Sequence, residues 1–152
     1  MRKTFRTAGF LLGLLSAPAM AADLVAGACE GLGSVENLAE PWEETSRTFY
    51  NGRVRVALSD AIEPACCWAH VIILLPNPDD ELGGRQCVLI NRGNFVGLSG
   101  VDFDKMTAKY DPATGLTISL PYRLYDAEEG ASGPLKFGRV IVNLADGTVR
   151  TE

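Results

Sequence analysis

The densest group of reactive side chains is the run Cys66-Cys67-Trp68-Ala69-His70, which contains two thiols and the only histidine of the chain. Thiolates and a neutral imidazole are good ligands for Cu(I) and zinc. A metal site using Cys66, Cys67 and His70 is therefore one alternative for the function. It requires free thiolates, because oxidised cysteines do not bind a metal in this way. A single histidine also excludes blue-copper centres and catalytic zinc sites that need several imidazoles.

Carboxylates are the second group that could act on a substrate. Asp102 and Asp104 flank Phe103, and Asp79-Asp80-Glu81 forms a second acidic run. Two converging carboxylates could hydrolyse a glycoside, so a small carboxylate-based hydrolase is a further alternative; aspartates could also help to hold Ca²⁺. The Asn-Pro-Asp-Asp context of the acidic run is typical of a turn. The alternation around Phe103 is typical of a strand with one solvent-facing side.

Other catalytic and cofactor motifs are missing from the sequence. No serine has the context of a nucleophile elbow. Gly83-Gly84 is not surrounded by a phosphate-binding or dinucleotide-binding pattern. We therefore expect no enzyme activity and no cofactor.

The N-terminus has the three parts of an export signal. Arg2, Lys3 and Arg6 are followed by an apolar run at 10–15 and by Ala19-Met20-Ala21. The apolar run is shorter than the ~20 residues that span a bilayer. We predict a signal peptide over 1–21 and a single exported β-domain over 22–152, which would be periplasmic or secreted; an uncleaved anchor is the alternative. Cleavage leaves 11 basic against 19 acidic residues, a net charge of −8, which argues against nucleic-acid or anionic-membrane partners.

Four cysteines, Cys29, Cys66, Cys67 and Cys87, follow the predicted signal, so two disulfides are expected. Adjacent cysteines in an extended chain point to opposite faces, which favours one bond from Cys29 and one from Cys87 to the Cys66-Cys67 pair. A hairpin that places Cys87 opposite Leu74 would put Cys67 ~23 Å away, so those bonds would need a different connection. Lipidation of Cys29 is a further alternative.

Turn residues and alternating apolar residues predict three hairpins. They turn at Asn51-Gly52, which should pair Phe49 with Val54, at 111–115, and at Asp146-Gly147. In the third hairpin, Leu144 should oppose Val149, and a bulge at Gly138-Arg139 would bring the apolar residues into phase. Pro121 predicts an edge strand or a bulge.

The runs 71–75 and 87–90 are apolar on both faces, so something must cover the second face. The N-terminal arm supplies Leu24, Val25, Leu32 and Trp42 for this purpose, and a disulfide from Cys29 would fasten it.

The strand and turn pattern predicts an all-β fold, an antiparallel β-sandwich or small barrel of about seven to eight strands with an irregular N-terminal arm. For its function we expect a non-enzymatic binding or interaction role, with a protein partner or a small apolar ligand. Trp42, Trp68 and Tyr125 are candidates to line a ligand surface, although aromatic residues also serve as core. The protein is not expected to be an integral membrane protein.

Overall fold

The structure, a computed structural model, describes residues 23–152; the predicted signal peptide over 1–21 lies outside them. Two five-stranded antiparallel sheets form the fold, with a small two-stranded ribbon beside them. The strands are β1 (Val25–Ala28), β2 (Ser46–Phe49), β3 (Val54–Asp60), β4 (Ala69–Pro76), β5 (Arg85–Asn91), β6 (Gly100–Val101), β7 (Thr107–Asp111), β8 (Gly115–Arg123), β9 (Tyr125–Asp126), β10 (Ala131–Ser132), β11 (Lys136–Asn143) and β12 (Thr148–Thr151).

The predicted all-β sandwich is confirmed. The first sheet has the order β1-β5-β4-β3-β2, and the second has β12-β11-β8, with β6 and β7 both pairing with β8. Alternate residues of β3, among them Val54 and Val56, face alternate residues of β8, among them Ile118 and Leu120, in one apolar core. Nine strands have four or more residues, slightly more than expected, because the N-terminal arm supplies β1.

Two of the three hairpins form as predicted. Phe49 pairs with Val54, and the turn between them places Asn51 and Gly52 at φ of 54° and 76°, the left-handed values that this sequence favours. Pairing continues back to Ser46, which lies opposite Ala57. The second hairpin closes with Asp111 opposite Gly115.

The details predicted for the third hairpin are wrong. Val142, not Leu144, opposes Val149, because the turn takes four residues, 144–147. The register between β11 and β8 runs without interruption through Gly138, so there is no bulge there. Phe137 is out of phase with the buried residues Val140 and Val142 because its side chain faces solvent instead of the core.

The edge position predicted for Pro121 is also wrong, because β8 is an interior strand. Its neighbour on one side changes at this point from β7, which pairs with residues 115–119, to β6, which pairs with 122–123. The Pro121 carbonyl accepts a hydrogen bond from Asp102 N across this junction at 3.0 Å. The missing N–H faces the same side as that carbonyl, at the junction between β7 and β6, so the pairing of β8 with β11 on its other side is unaffected.

The N-terminal arm covers the outer face of the first sheet, as predicted in part. Cys29, Leu32 and Leu38 pack against Ile72 and Leu89. Leu24, however, enters the main core, while Val25 and Trp42 are largely exposed. The arm is also more regular than expected: it contains β1, two 3₁₀ turns (Glu30–Gly33 and Val35–Asn37) and the short helix α1 (Trp42–Thr45).

Both disulfides form, but the predicted pairing is wrong. Cys29 bonds to Cys87 and Cys66 bonds to Cys67. The 71–75 and 85–90 hairpin does place Cys87 opposite Leu74, which removes it from the reach of Cys66 and Cys67. Those two lie in a loop rather than in a strand, so their side chains are not held on opposite faces. The Cys29–Cys87 bond fastens the arm as expected and leaves no thiol on Cys29 for a lipid.

Helices are short throughout the described chain. Besides α1 and the two turns of the arm, residues Phe103–Lys105 form a 3₁₀ turn. Within residues 23–152, no helix is long and apolar enough to cross a membrane.

Candidate functional site

The candidate site lies at one end of the sandwich, where three connections meet. The β3–β4 loop (61–68) carries the Cys66–Cys67 disulfide, the β5–β6 loop (92–99) lies beside it, and the 3₁₀ turn Glu30–Gly33 contributes Leu32. Strands β3, β4 and β5 are sequential antiparallel neighbours. The end of β3, the start of β4 and the end of β5 therefore lie at the same end of the sheet, and the loops that follow or precede them cluster there.

The β3–β4 loop is closed by local hydrogen bonds. Ala61 N donates to Trp68 O at 2.9 Å and closes the loop at its base. The Asp60 carboxylate accepts from Ile62 N at 2.7 Å, and the Glu63 carboxylate accepts from Ala65 N at 2.9 Å. These side chain to backbone bonds are typical of turns, and they present the disulfide at the tip of an ordered loop.

The β5–β6 loop forms the opposite wall. Paired hydrogen bonds between Ala69 and Leu98, at 3.0 and 2.7 Å, attach it to the start of β4. Gly97 lets the two loops touch, because a Cβ at this position would collide with the Cys67 carbonyl and lie 2.9 Å from His70 Nε2. No larger residue fits there without moving one of the loops.

Together these segments border an open cavity of about 320 Å³, the lower end of the size range of small-molecule sites. We call it the loop-end pocket. Aliphatic and aromatic carbon and the two sulfurs form most of its wall. It is lined by Leu32, Ala61, Glu63, Cys66, Cys67, His70, Phe95, Val96 and Gly97.

His70 forms part of the pocket wall and is 1% exposed. Burial lowers the pKa of His70 below its usual value, since a charged imidazole loses its hydration there. The side chain is therefore neutral at pH 7. Its Nδ1 atom has no hydrogen-bond partner among the described residues, an unusual state for a buried polar atom.

The pocket rim contains backbone strain and exposed apolar surface. Ile62 and Phe95 have φ of 56° and 60°, a region that β-branched and bulky residues rarely adopt, whereas Asn94, with a φ of 50°, belongs to a residue type that adopts it more readily. Ile62 and Phe95 are nonetheless 79% and 52% exposed. Such strain costs on the order of 1–3 kcal/mol per residue and is found most often at functional sites.

The residues predicted for a metal site do come together, but not as ligands. Cys66, Cys67 and His70 all line the loop-end pocket. The two sulfurs are bonded to each other, so neither is a thiolate. Within residues 23–152, no group of three or more His, Cys, Asp or Glu side chains is arranged to hold a metal ion.

The predicted acidic groups do not converge with this pocket. Asp104 forms an ion pair with Arg47 at 2.9 Å, and Asp102 pairs with Lys105. The Lys105 ammonium holds the pKa of Asp102 below its usual value. Both aspartates belong to the 3₁₀ turn region at 102–105 rather than to the strand that was expected, where Asp102 caps the turn.

The second acidic run, Asp79-Asp80-Glu81, lies in a turn, as predicted. The Asp80 carboxylate accepts from Leu82 N at 2.9 Å, and Asp79 N donates to the Asn77 side chain at 3.1 Å. These groups stabilise the β4–β5 connection, at the opposite end of β4 from the loop-end pocket.

The sequence grouped Cys66, Cys67 and His70 and offered Trp68 as a candidate, but it did not place Leu32, Phe95 or Val96 beside them. An exposed Phe-Val pair after Gly93-Asn94 was the available signal. Of the three candidate aromatic residues, Trp68 and Tyr125 lie at this end of the fold, whereas Trp42 lies in α1. Comparison with known proteins finds no matching family model, curated protein or solved structure.

Proposed function

We propose that this protein is an exported, disulfide-stabilised binding domain without enzymatic activity, and that its loop-end pocket binds a small, mainly apolar molecule. The observation that carries the proposal is the pocket itself, a cavity of about 320 Å³ with two sulfurs and the side chains of Leu32, Phe95 and Val96 in its wall. Sites for small ligands are concave, largely apolar and supplied with a few polar groups.

The Cys66–Cys67 disulfide supports a role in the site rather than in stability. Disulfides stabilise a fold mainly by shortening the loops available to the unfolded chain, and the effect grows with loop length. Cys66 and Cys67 are adjacent, so their bond restricts almost no chain. What it does provide is a polarisable, apolar surface in the pocket wall without a hydrogen-bond donor.

The polar groups of the pocket restrict the ligand further. His70 is neutral and its Nδ1 atom is buried, so it offers the ligand one ring nitrogen rather than a charge. Glu63 is exposed and supplies the only carboxylate of the lining. A neutral ligand with one hydrogen-bonding group suits this set, whereas an anion would be repelled by Glu63.

The first experiment is a titration of the ¹⁵N-labelled domain, residues 22–152, with toluene, phenol and indole as neutral single-ring and fused-ring probes. We expect saturable changes in the amide resonances of loops 61–68 and 92–99, larger for phenol and indole because both can hydrogen-bond to His70. Changes spread evenly over the surface, or no saturable change with any probe, would contradict the proposal.

A matched pair of substitutions tests the site. Phe95→Asn removes the apolar rim but retains a residue that tolerates positive φ, so probe binding should fall at least about fivefold with no loss of thermal stability. Phe137 is similarly exposed, at 60%, but lies on β11 away from the pocket. Phe137→Asn is therefore the control and should leave binding unchanged; equal losses in both variants would refute the assignment.

Export is tested separately, by the intact mass of the protein recovered from the periplasm or the culture medium. We expect a chain that begins at residue 22 and lacks four hydrogens, with no mass added by alkylation. Two disulfides are typical of proteins in oxidising compartments, which supports this expectation. A mature chain that retains residues 1–21, or one with free thiols, would contradict it.

A further inference from the structure

The β3–β4 loop has a second cavity on its other side, distinct from the loop-end pocket although Cys66 borders both. It has a volume of about 250 Å³ and lies between this loop and the β9–β10 ribbon. We infer that this ribbon pocket binds a neutral, hydroxyl-bearing ring such as a single saccharide unit. The inference goes beyond the proposed function, since it concerns a different pocket and a different ligand chemistry.

Two half-buried aromatic side chains, Trp68 and Tyr125, are among the residues that line the ribbon pocket, whose exposed surface is mainly polar. Trp68 lies just before β4 and packs partly against the main core, which limits its movement. Tyr125 comes from β9, and its hydroxyl lies near Gly130 in the ribbon turn. Aromatic faces are electron-rich and attract the weakly positive edges of other groups, and the C–H faces of a sugar ring present such hydrogens.

Ser99 is one of the residues that line the ribbon pocket, and its side chain is an unpaired polar group. Its backbone is fully bonded, because Ser99 N donates to Arg123 O at 3.0 Å and Ser99 O accepts from the Ser132 hydroxyl at 3.4 Å. The Ser99 hydroxyl itself is buried and has no partner among the described residues. Leaving a buried hydroxyl unpaired is unfavourable, and a ligand hydroxyl would supply the missing partner.

The ribbon pocket differs chemically from the loop-end pocket. None of the residues that line it carries a formal charge, and its polar groups are the Ser99, Ser132 and Tyr125 hydroxyls and nearby main chain. A charged ligand would lose hydration here without gaining a counter-ion, and a purely apolar ligand would leave the hydroxyls unpaired. A neutral ring that has both C–H faces and hydroxyl groups matches both features.

The size of the pocket limits the ligand to one ring. Its volume of about 250 Å³ is below the ~300–1,000 Å³ typical of sites for drug-sized molecules. The ring could be a free monosaccharide or one unit of a glycan, and the two sources share the same recognition chemistry.

Fluorescence provides a direct test, because the chain has two tryptophans and only Trp68 lines the ribbon pocket. In the Trp42→Phe variant, Trp68 is the sole reporter, and its emission should change saturably with N-acetylglucosamine or methyl β-glucoside at millimolar concentrations. In the Trp68→Phe variant, emission from Trp42 should not change. Glucuronate, the charged control, should bind at least about tenfold more weakly. A trisaccharide of N-acetylglucosamine that binds more tightly than the monosaccharide would identify a glycan, and equal affinity a free sugar.

Ser99→Ala in the Trp42→Phe background tests the hydroxyl. Because the hydroxyl has no partner, its removal should leave the melting temperature unchanged or higher while weakening sugar binding about tenfold. No saturable response to the neutral sugars, equal binding of glucuronate, or a Ser99→Ala variant with unchanged affinity would overturn the inference. Phe95→Asn should leave the sugar response intact, so failure here is distinguishable from failure of the loop-end pocket.

Discussion

The two disulfides should differ sharply in their effect on stability, although both join half-exposed or buried cysteines. Cys29 and Cys87 are 58 positions apart, for which the chain-entropy relation gives about 4 kcal/mol at 25 °C. Cys66 and Cys67 are one position apart, and the same relation gives less than ~1 kcal/mol. Cys29 is also 7% exposed and packs on the outer face of the first sheet, so its loss removes buried contacts as well.

The test compares two double variants, Cys29→Ala/Cys87→Ala and Cys66→Ala/Cys67→Ala, by calorimetric melting without reductant. With an unfolding entropy of about 2.1 cal/mol/K per residue over roughly 130 residues, 4 kcal/mol corresponds to a fall of about 15 °C for the first variant. The second should melt within about 3 °C of the parent. A second variant destabilised as much as the first would refute the reasoning, because the adjacent pair would then have a structural role that loop closure does not explain.

Four further predictions concern titration and backbone geometry. The hydrogen bond from Lys136 lowers the pKa of Asp23. The ionised Asp23 carboxylate therefore stabilises the fold at pH values above the usual aspartate pKa, and this stabilisation is lost as the pH falls through the lowered pKa. In Asp23→Asn, the free energy of urea unfolding should consequently fall less steeply towards acid pH than in the parent. Burial, followed by the Asp23 carboxylate, raises the pKa of Tyr122 to about 12. The stability that the protonated Tyr122 contributes should be complete below pH ~10 and lost towards pH 12, and both the absorbance at 295 nm and the free energy of unfolding should report this loss. A loss that is complete by pH ~10 would contradict the prediction. Burial lowers the pKa of His70. The stability contributed by the neutral imidazole should therefore be complete above pH ~6.5 and lost as the pH falls through the lowered pKa. The imidazole NMR resonance of this single histidine should titrate below pH ~6.5, and titration at or above that pH would contradict the effect of burial. Gly115 has a φ of 94°, and a Cβ there would meet the Val142 carbonyl, so Gly115→Ala should cost more than ~1 kcal/mol in urea unfolding, and a neutral result would show that this approach is not required.

Local patterns in the sequence were sufficient where neighbouring residues decide the outcome. Asn51-Gly52 sets both the turn and the register of its hairpin, because few residues adopt two consecutive left-handed conformations. The alternating apolar residues Val54, Val56 and Leu58 are all buried in β3, as a period of two requires. The same reasoning failed at Pro121, since the partner strands on either side of a residue are not encoded by that residue.

The site was predictable only in part, and for a related reason. The sequence identified Cys66, Cys67 and His70 as a group because they are close in the chain, yet it favoured the wrong disulfides. Whether adjacent cysteines point apart depends on whether they lie in a strand, and that was decided by where β3 and β4 end. No local pattern marks Phe95, because it belongs to the site only through a loop about thirty positions earlier that lines the same cavity.

The sequence alone determined the all-β class, two of the hairpins, the need to cover the second face of β4 and β5, and the presence of two disulfides. These properties depend on side-chain periodicity, turn propensity and cysteine number, which act over a few residues. Tertiary structure decided the disulfide pairing, the interior position of β8 and the cavities at the loop end. Those features depend on which distant segments pack together, and packing is set by the burial of the whole core rather than by any local pattern.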